Sequence, residues 1–275
     1  MIANTRMEAA SAASVGAPIV PRASMRGIRK RFGSIEALRG VDLDLYPGEC
    51  LGLVGDNAAG KSTLTKVLSG AYLADEGTID LDGIRATYAS PAEARKLKIE
   101  MVYQDLSLCD TIDVAGNLFL GRELTGGSDL FGFLDKRRML AEGRRMLDSL
   151  EIRIPNLQAT VAQLSGGQRQ SIAIARAAAF DPRVLIMDEP TSALAVAEVE
   201  AVLALIQRVK ERGVAVVLIT HRLQDLFRVC DRIAVMYEGT KVAERRIGET
   251  DLTDIVRLIV GSGTPLPGVP RHDGL

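Results

Sequence analysis

Cysteine is scarce in this 275-residue chain, and so are long apolar runs and any excess of charge of one sign. The three cysteines, Cys50, Cys109 and Cys230, stand far apart and form no metal-type or redox-type motif. Their odd number and spread suit a reducing cytoplasm, where a buried thiol serves as a small apolar residue. No stretch approaches the roughly 18 consecutive apolar residues of a spanning helix, so no membrane-crossing segment is predicted. The formal net charge of −1 supplies no general attraction to nucleic acid or anionic lipid. Met1–Ser24 lacks a strong apolar stretch and carries Glu8, which argues against a signal peptide. Its Ala and Ser content, with Pro18 and Pro21, predicts a disordered leader over 1–24. The Pro- and Gly-rich segment 261–275 is expected to be a loose tail.

What is present is enough apolar material, 47% of residues, for a large core in one or two lobes over 25–260. Val41, Leu43 and Leu45 alternate with Asp42 and Asp44, and Ile79 and Leu81 with Asp80 and Asp82. This is half-buried strand patterning, with turns at Pro47-Gly48 and Asp82-Gly83, and it predicts an N-terminal antiparallel lobe. After Asp105 the character becomes helical. Met139, Leu140, Gly143, Leu147 and Leu150 share one face, leaving Arg137, Arg138, Arg144 and Arg145 mostly on a solvated face. Apolar strands return at Val184–Met187, Val214–Ile219 and Ile233–Met236, alternating with helices near 167–180, 196–212 and 223–230. Such alternation indicates a buried parallel sheet. The expected fold is α/β, one nucleotide-binding core with a helical insertion at about 105–165.

Three motifs carry chemistry. Gly55-Asp56-Asn57-Ala58-Ala59-Gly60-Lys61-Ser62 fits the phosphate-loop pattern at every fixed position, between a predicted strand (Glu49–Val54) and a helix from Thr63. Backbone N–H groups and the helix start make an anion nest there. Lys61 would reach the β and γ phosphates of a nucleoside triphosphate, and Ser62 would hold Mg²⁺. Val184–Met187 delivers Asp188 and Glu189 to the sheet's carboxyl edge. Asp188 is expected to hold Mg²⁺, and Glu189 to orient the attacking water and accept its proton. Ser165-Gly166-Gly167 opens a helix at Gly167-Gln168 as a second phosphate cradle. One nucleotide does not need two cradles from one chain, so this one is expected to serve the nucleotide of another subunit.

Gly55–Ser62, Gln104, Leu164–Gln168, Asp188-Glu189 and His221 occur in the order found in the ATP-binding subunits of ABC transporters, which the chain resembles over about 25–260. The resemblance implies a P-loop NTPase with a RecA-like core, an antiparallel β lobe and an inserted α-helical lobe. It implies a head-to-tail dimer with two ATP between the phosphate loop of one subunit and Ser165-Gly166-Gly167 of the other. By this resemblance Gln104 touches Mg²⁺ and the attacking water, His221 contacts the γ-phosphate, and Phe32 stacks on adenine. For Phe32 the alternative is a core aromatic of the antiparallel lobe.

Within that family the wording resembles the importers of simple sugars, in Asp113-Val114-Ala115-Gly116-Asn117-Leu118-Phe119-Leu120-Gly121-Arg122-Glu123 and Thr220-His221-Arg222-Leu223. The single cassette looks like the shorter form, which would homodimerise. Ala195 stands where the family usually carries an aspartate that helps couple the two sites. The resemblance implies an ATP-hydrolysing motor of a sugar importer, peripheral on the cytoplasmic face of the membrane. Its partners would be integral-membrane permease subunits and, indirectly, a secreted sugar-binding protein. The helical lobe around Gln104–Asn117 would receive a permease helix. Alternatives are a motor for an amino acid or lipid, and a soluble non-transport ABC ATPase; no nucleic acid is expected as partner.

Overall fold

The computed structural model describes residues 20–126 and 133–261. In chain order it runs β1 (Ala23–Phe32), β2 (Ile35–Leu45), β3 (Cys50–Gly55), α1 (Lys61–Leu68), β4 (Glu76–Leu81) and β5 (Ile84–Ala86). There follow α2 (Pro91–Lys96), β6 (Ile99–Val102), α3 (Val114–Leu118), α4 (Lys136–Ser149) and α5 (Gly166–Ala178). The last part is β7 (Val184–Asp188), α6 (Val196–Glu211), β8 (Ala215–Ile219), α7 (Leu223–Val229), β9 (Arg232–Tyr237), β10 (Thr240–Arg246) and α8 (Leu252–Gly261).

Two sheets result. An antiparallel sheet has the order β2-β1-β4-β5, and a six-stranded core sheet the order β10-β9-β3-β8-β7-β6. In the core sheet only β10 runs antiparallel to its neighbour. The two turns read from sequence close as expected. At the β4–β5 hairpin Asp82 (φ 48°) and Gly83 (φ 78°) both take left-handed backbone, which matches the twist of a tight hairpin. Side chains of the core strands alternate between faces. Leu185, Met187, Val216 and Leu218 join the helical layer, whereas Val184, Ile186, Val217 and Ile219 join the antiparallel lobe. The parallel sheet is therefore buried on both sides, which is why its strands read as unbroken apolar runs.

Two expectations change. The antiparallel lobe takes in the end of the segment read as a leader: Ala23 is buried and pairs with both Leu45 and Leu81, and the Arg22 N–H donates to the Leu45 carbonyl. Ala23 and Met25 alternate inward around Ser24, so the strand pattern begins before residue 25. Residues 1–19 and 262–275 lie outside the described residues. The second change concerns cysteine. β3 and β9 are neighbours, with Leu51 opposite Arg232, and this brings the buried sulfurs of Cys50 and Cys230 within 3.4 Å. Sequence spacing hides the pair because strand pairing, not local chain, makes it. Both are free thiols, and burial pushes the Cys230 thiol up.

The helical insertion shares the core of the sheet: Val114, Leu118, Phe119 and Leu147 pack in one cluster with Ile172 and Leu185. On α4 the inward stripe is Met139, Gly143 and Leu147, and Arg144 fastens the following loop by donating to the Ile154 carbonyl at 2.8 Å. Buried Asn117 shapes the loop ahead of α3. Its Nδ2 donates to the carbonyls of Cys109 and Asp113, and its Oδ1 accepts from the Cys109 N–H. The two carbonyls also accept backbone N–H groups, so Asn117→Leu should strand chiefly the Cys109 N–H, at about 1–3 kcal/mol if left unpaired and buried. Urea unfolding should show a loss of about 1–3 kcal/mol, and an unchanged midpoint would contradict this account of the loop.

Candidate nucleotide site

The phosphate loop is shaped by glycines that nothing else can replace. Gly55 ends β3 at φ 149°, where a Cβ would lie 2.2 Å from the Met236 carbonyl oxygen. Gly60 precedes α1 at φ 98°, and a Cβ there would meet the Ala37 carbonyl oxygen at 2.8 Å. The turn between β9 and β10 clamps the loop from above. The Gly239 N–H donates to the Ala59 carbonyl at 3.1 Å, and the Arg39 N–H donates to the Gly239 carbonyl at 2.8 Å. Inside the loop Lys61 is only 8% exposed, its Nζ donating to the carbonyls of Gly55 and Asp56 at 2.8 Å each. Burial pulls the Lys61 pKa down against the opposing pull of Asp56, Asp188 and Glu189. The ammonium is thus under-compensated, and an anion beside it would relieve that.

Opposite the loop, β7 ends in Asp188, and the Glu189 N–H extends the ladder by donating to the Ile219 carbonyl at 2.8 Å. Glu189 has φ 52°, left-handed backbone that costs a non-glycine residue about 1–3 kcal/mol and persists only where the surroundings impose it. Its Oε1 lies 2.7 Å from His221 Nε2, close enough for the ring N–H to donate to the carboxylate. Burial, then repulsion from Glu189, raises the Asp188 carboxyl. A cleft of about 670 Å³ brings Lys61, Ser62, Gln104, Asp188, Glu189 and His221 together, with Asn57 to Gly60 and Thr63 on its wall. Gly55, Asp56 and Asn57 border an adjoining cleft of about 370 Å³ that also touches His221. Gln104 arrives from the end of β6, and Arg176 of α5 holds the turn beyond it by donating to the carbonyls of Leu106 and Ser107 at 2.9 and 2.8 Å.

Ser165-Gly166-Gly167 lies apart. Ser165 and Gly167 border another cleft, of about 380 Å³, which shares no lining residue with the first. Ser165 caps α5 in a reciprocal pair with Gln168. The glycines differ from the expectation of a bare cradle. Gly166 is open, but the Gly167 N–H already donates to Glu198 Oε1 at 3.0 Å. Phe32 does not itself line the cleft. It is 42% exposed at the end of β1, edge-on to Tyr72 with ring centroids 5.1 Å apart, so it is not a core aromatic and is left open to a stacking partner. The cleft wall on that side is Ile35, Glu36, Ala37 and Arg39 of β2, with Glu238. No motif announced these residues. They arrive through the Gly33-Ser34 turn, and only that turn's place beside the loop could have pointed to them.

The profile of the ABC transporter family matches residues 38–192. The xylose/arabinose import ATP-binding protein of Sulfolobus acidocaldarius is 41% identical over 86% of this chain and 92% of its own length. This chain belongs to the ABC transporter ATP-binding family. As such it is an ATPase. The fructose import ATP-binding protein of Rhizobium meliloti is 43% identical over 89% of this chain and 96% of its own. The ribose import ATP-binding protein of Chromobacterium violaceum is 43% identical over 86% of this chain but 47% of its own, so this chain spans about half of it. Among solved structures, a nucleotide-free ATP-binding cassette from an ABC transporter aligns with TM-score 0.74 and 26% identity, covering 88% of this chain and 95% of that one. A dimeric cassette bound to ADP and phosphate aligns with TM-score 0.68 and 26% identity, covering 82% and 98%.

The raised carboxyl of Asp188 has a stability consequence. Its folded pKa lies above the unfolded value, so ionised Asp188 costs stability at neutral pH, and the cost fades as pH falls through the folded pKa. Asp188→Asn should therefore raise the melting temperature of nucleotide-free protein at pH 7, with the gain shrinking at lower pH. A lower melting temperature at pH 7 would contradict the desolvation account.

Proposed function

We propose that this chain is the motor subunit of an importer for a simple sugar, held at the cytoplasmic face of the membrane by permease subunits that carry the cargo. The observation that carries the chemistry is one cleft in which Lys61, Ser62, Gln104, Asp188, Glu189 and His221 converge. The sugar assignment rests on the relatives, which are named as import proteins for xylose and arabinose, fructose and ribose. Among the described residues no helix is long and apolar enough to cross a membrane. A groove of about 540 Å³ on the helical lobe, bordered by Thr111, Ile112, Leu120, Leu134 and Met139, is where we place a permease helix. Leu120 and Leu134, 45% and 50% exposed, would be its apolar anchors.

The residues take these roles. Lys61 and the loop N–H groups bind the β and γ phosphates of ATP, and the ammonium regains the charge compensation that burial denies it. The oxygen donors Ser62, Gln104 and Asp188 fit Mg²⁺, because the desolvated Asp188 carboxylate beside Glu189 gains from a cation. When bound, Mg²⁺ neutralises charge on the phosphates. Glu189 orients the water and takes its proton, and His221 steadies the Glu189 carboxylate. Ser165-Gly166-Gly167, which borders a different cleft from the phosphate loop, completes the site of a second copy.

Glu189→Gln keeps size and hydrogen bonding but removes the proton acceptor. Hydrolysis should slow by roughly 10²–10⁴-fold while ATP still binds. Size-exclusion chromatography of that variant should show a monomer without nucleotide and a dimer with ATP. A monomer that hydrolyses ATP at the wild-type rate would sink both the base assignment and the sandwich.

A Cβ at Gly166 meets nothing nearer than Leu194 at 3.4 Å, so Gly166→Asp should fold. Its charge would face a partner's γ-phosphate, abolishing hydrolysis and leaving nucleotide binding by the monomer intact. If monomer affinity collapses instead, the segment belongs to its own chain's pocket.

A further inference from the structure

Glu198 has no part in the chemistry above, yet its carboxylate joins two helix starts. Oε1 accepts the Gly167 N–H at 3.0 Å and Oε2 accepts the Ala195 N–H at 3.2 Å. Gly167 lies in the first turn of α5, and Ala195 is the capping residue of α6. These backbone bonds hold the Glu198 carboxyl below the usual carboxylate range, and the ionised group sits between two positive helix ends. The fit is tight. A Cβ at Gly167 would lie 2.7 Å from Glu198 Cγ and 2.8 Å from its Cβ, so glycine there makes room for this contact.

The two helix starts belong to different halves of the proposed chemistry. The segment ending at Ala195 begins at Glu189 and is short and braced. The Ser192 N–H and hydroxyl both donate to the Glu189 carbonyl, at 3.2 and 2.9 Å. The Thr191 hydroxyl donates to buried Asp225 at 2.8 Å. Ala195 contributes only its backbone N–H, having no side chain that could reach across. Glu198 therefore supplies the hydrogen-bonded tie between the Glu189 segment and the Ser165 segment.

We propose that Glu198 is a positioning residue that fixes Ser165-Gly166-Gly167, offered to a partner's nucleotide, to the Glu189–Ala195 segment of the chain's own site. In a head-to-tail pair each Glu198 would then connect one site to the other. This rests on the shared-site reading proposed above.

The test uses the full chain. Glu198→Ala should leave binding of a fluorescent ATP analogue to the monomer unchanged, and lower kcat by about 10- to 100-fold through misplacement of the partner's Ser165 segment. Glu198→Asp keeps the charge but is one methylene short of spanning both N–H groups, and should fall with Ala. Glu198→Gln keeps the length and one acceptor, and should be intermediate; it also serves if Glu198→Ala does not fold. Gly167→Ala displaces the carboxylate by another route, so the Gly167→Ala, Glu198→Ala double variant should be no slower than the slower single variant. Wild-type kcat in Glu198→Ala, additive effects in the double variant, or a matching loss of monomer affinity would each overturn the proposal. In the Glu189→Gln background, ATP should form a dimer with Glu198 intact and fail to with Glu198→Ala. Dimers in both overturn the Glu198 role alone, whereas no dimer with Glu198 intact overturns the shared site beneath it.

Discussion

Burial works against charge on both walls of the cleft. It pulls Lys61 down and pushes Asp188 up, and neither the opposing carboxylates nor the nearby lysines fully offset it. The fold maintains this imbalance because the core sheet is covered on both faces, and its strands bring the loop and the two carboxylates to one edge. A ligand carrying both signs, phosphate with a divalent cation, satisfies both walls together. Neither sign alone does. The metal–nucleotide complex proposed above would meet both demands at the place where the sheet ends.

The same edge carries backbone strain. Glu189, on the cleft wall, sits at φ 52°, left-handed backbone for a residue that carries a Cβ. The strain at Glu189 is held by the Ile219 carbonyl beneath it and by the braced turn after it. The carboxylate and His221 already meet at 2.7 Å before any substrate arrives, which in the proposed chemistry would reduce the reorganisation left for the reaction.

Residues whose chemistry depends on local chain were legible in the sequence. The phosphate loop, the carboxylate pair after an apolar strand and the serine at a helix start each combine a motif with a recognisable element. His221 and Gln104 were assigned by resemblance, since neither forms a local pattern, and the sheet register brings both to the cleft. What stayed hidden depends on long-range pairing. The β2 wall of the cleft, the contact of Cys50 with Cys230 and the reach of Glu198 to Gly167 all join segments that are distant in sequence or lie on different elements. Phe32 is likewise assigned by resemblance, and its edge-on contact with Tyr72 from beyond α1 is another pairing that the sequence does not announce.

The placement of β3 also governs how the chain can be made. Its two neighbours are β8 and β9, with Cys50 opposite Val216 and Leu51 opposite Arg232. A ribosome releases the phosphate loop long before either strand exists, and the clamp at Gly239 comes later still. Until then β3 has no partner and the loop has no frame. Emerging N-terminal fragments thus carry the whole nucleotide motif without a cradle, and an exposed apolar strand for chaperones to cover. The frame of the phosphate loop is thus completed by the part of the chain that is made last.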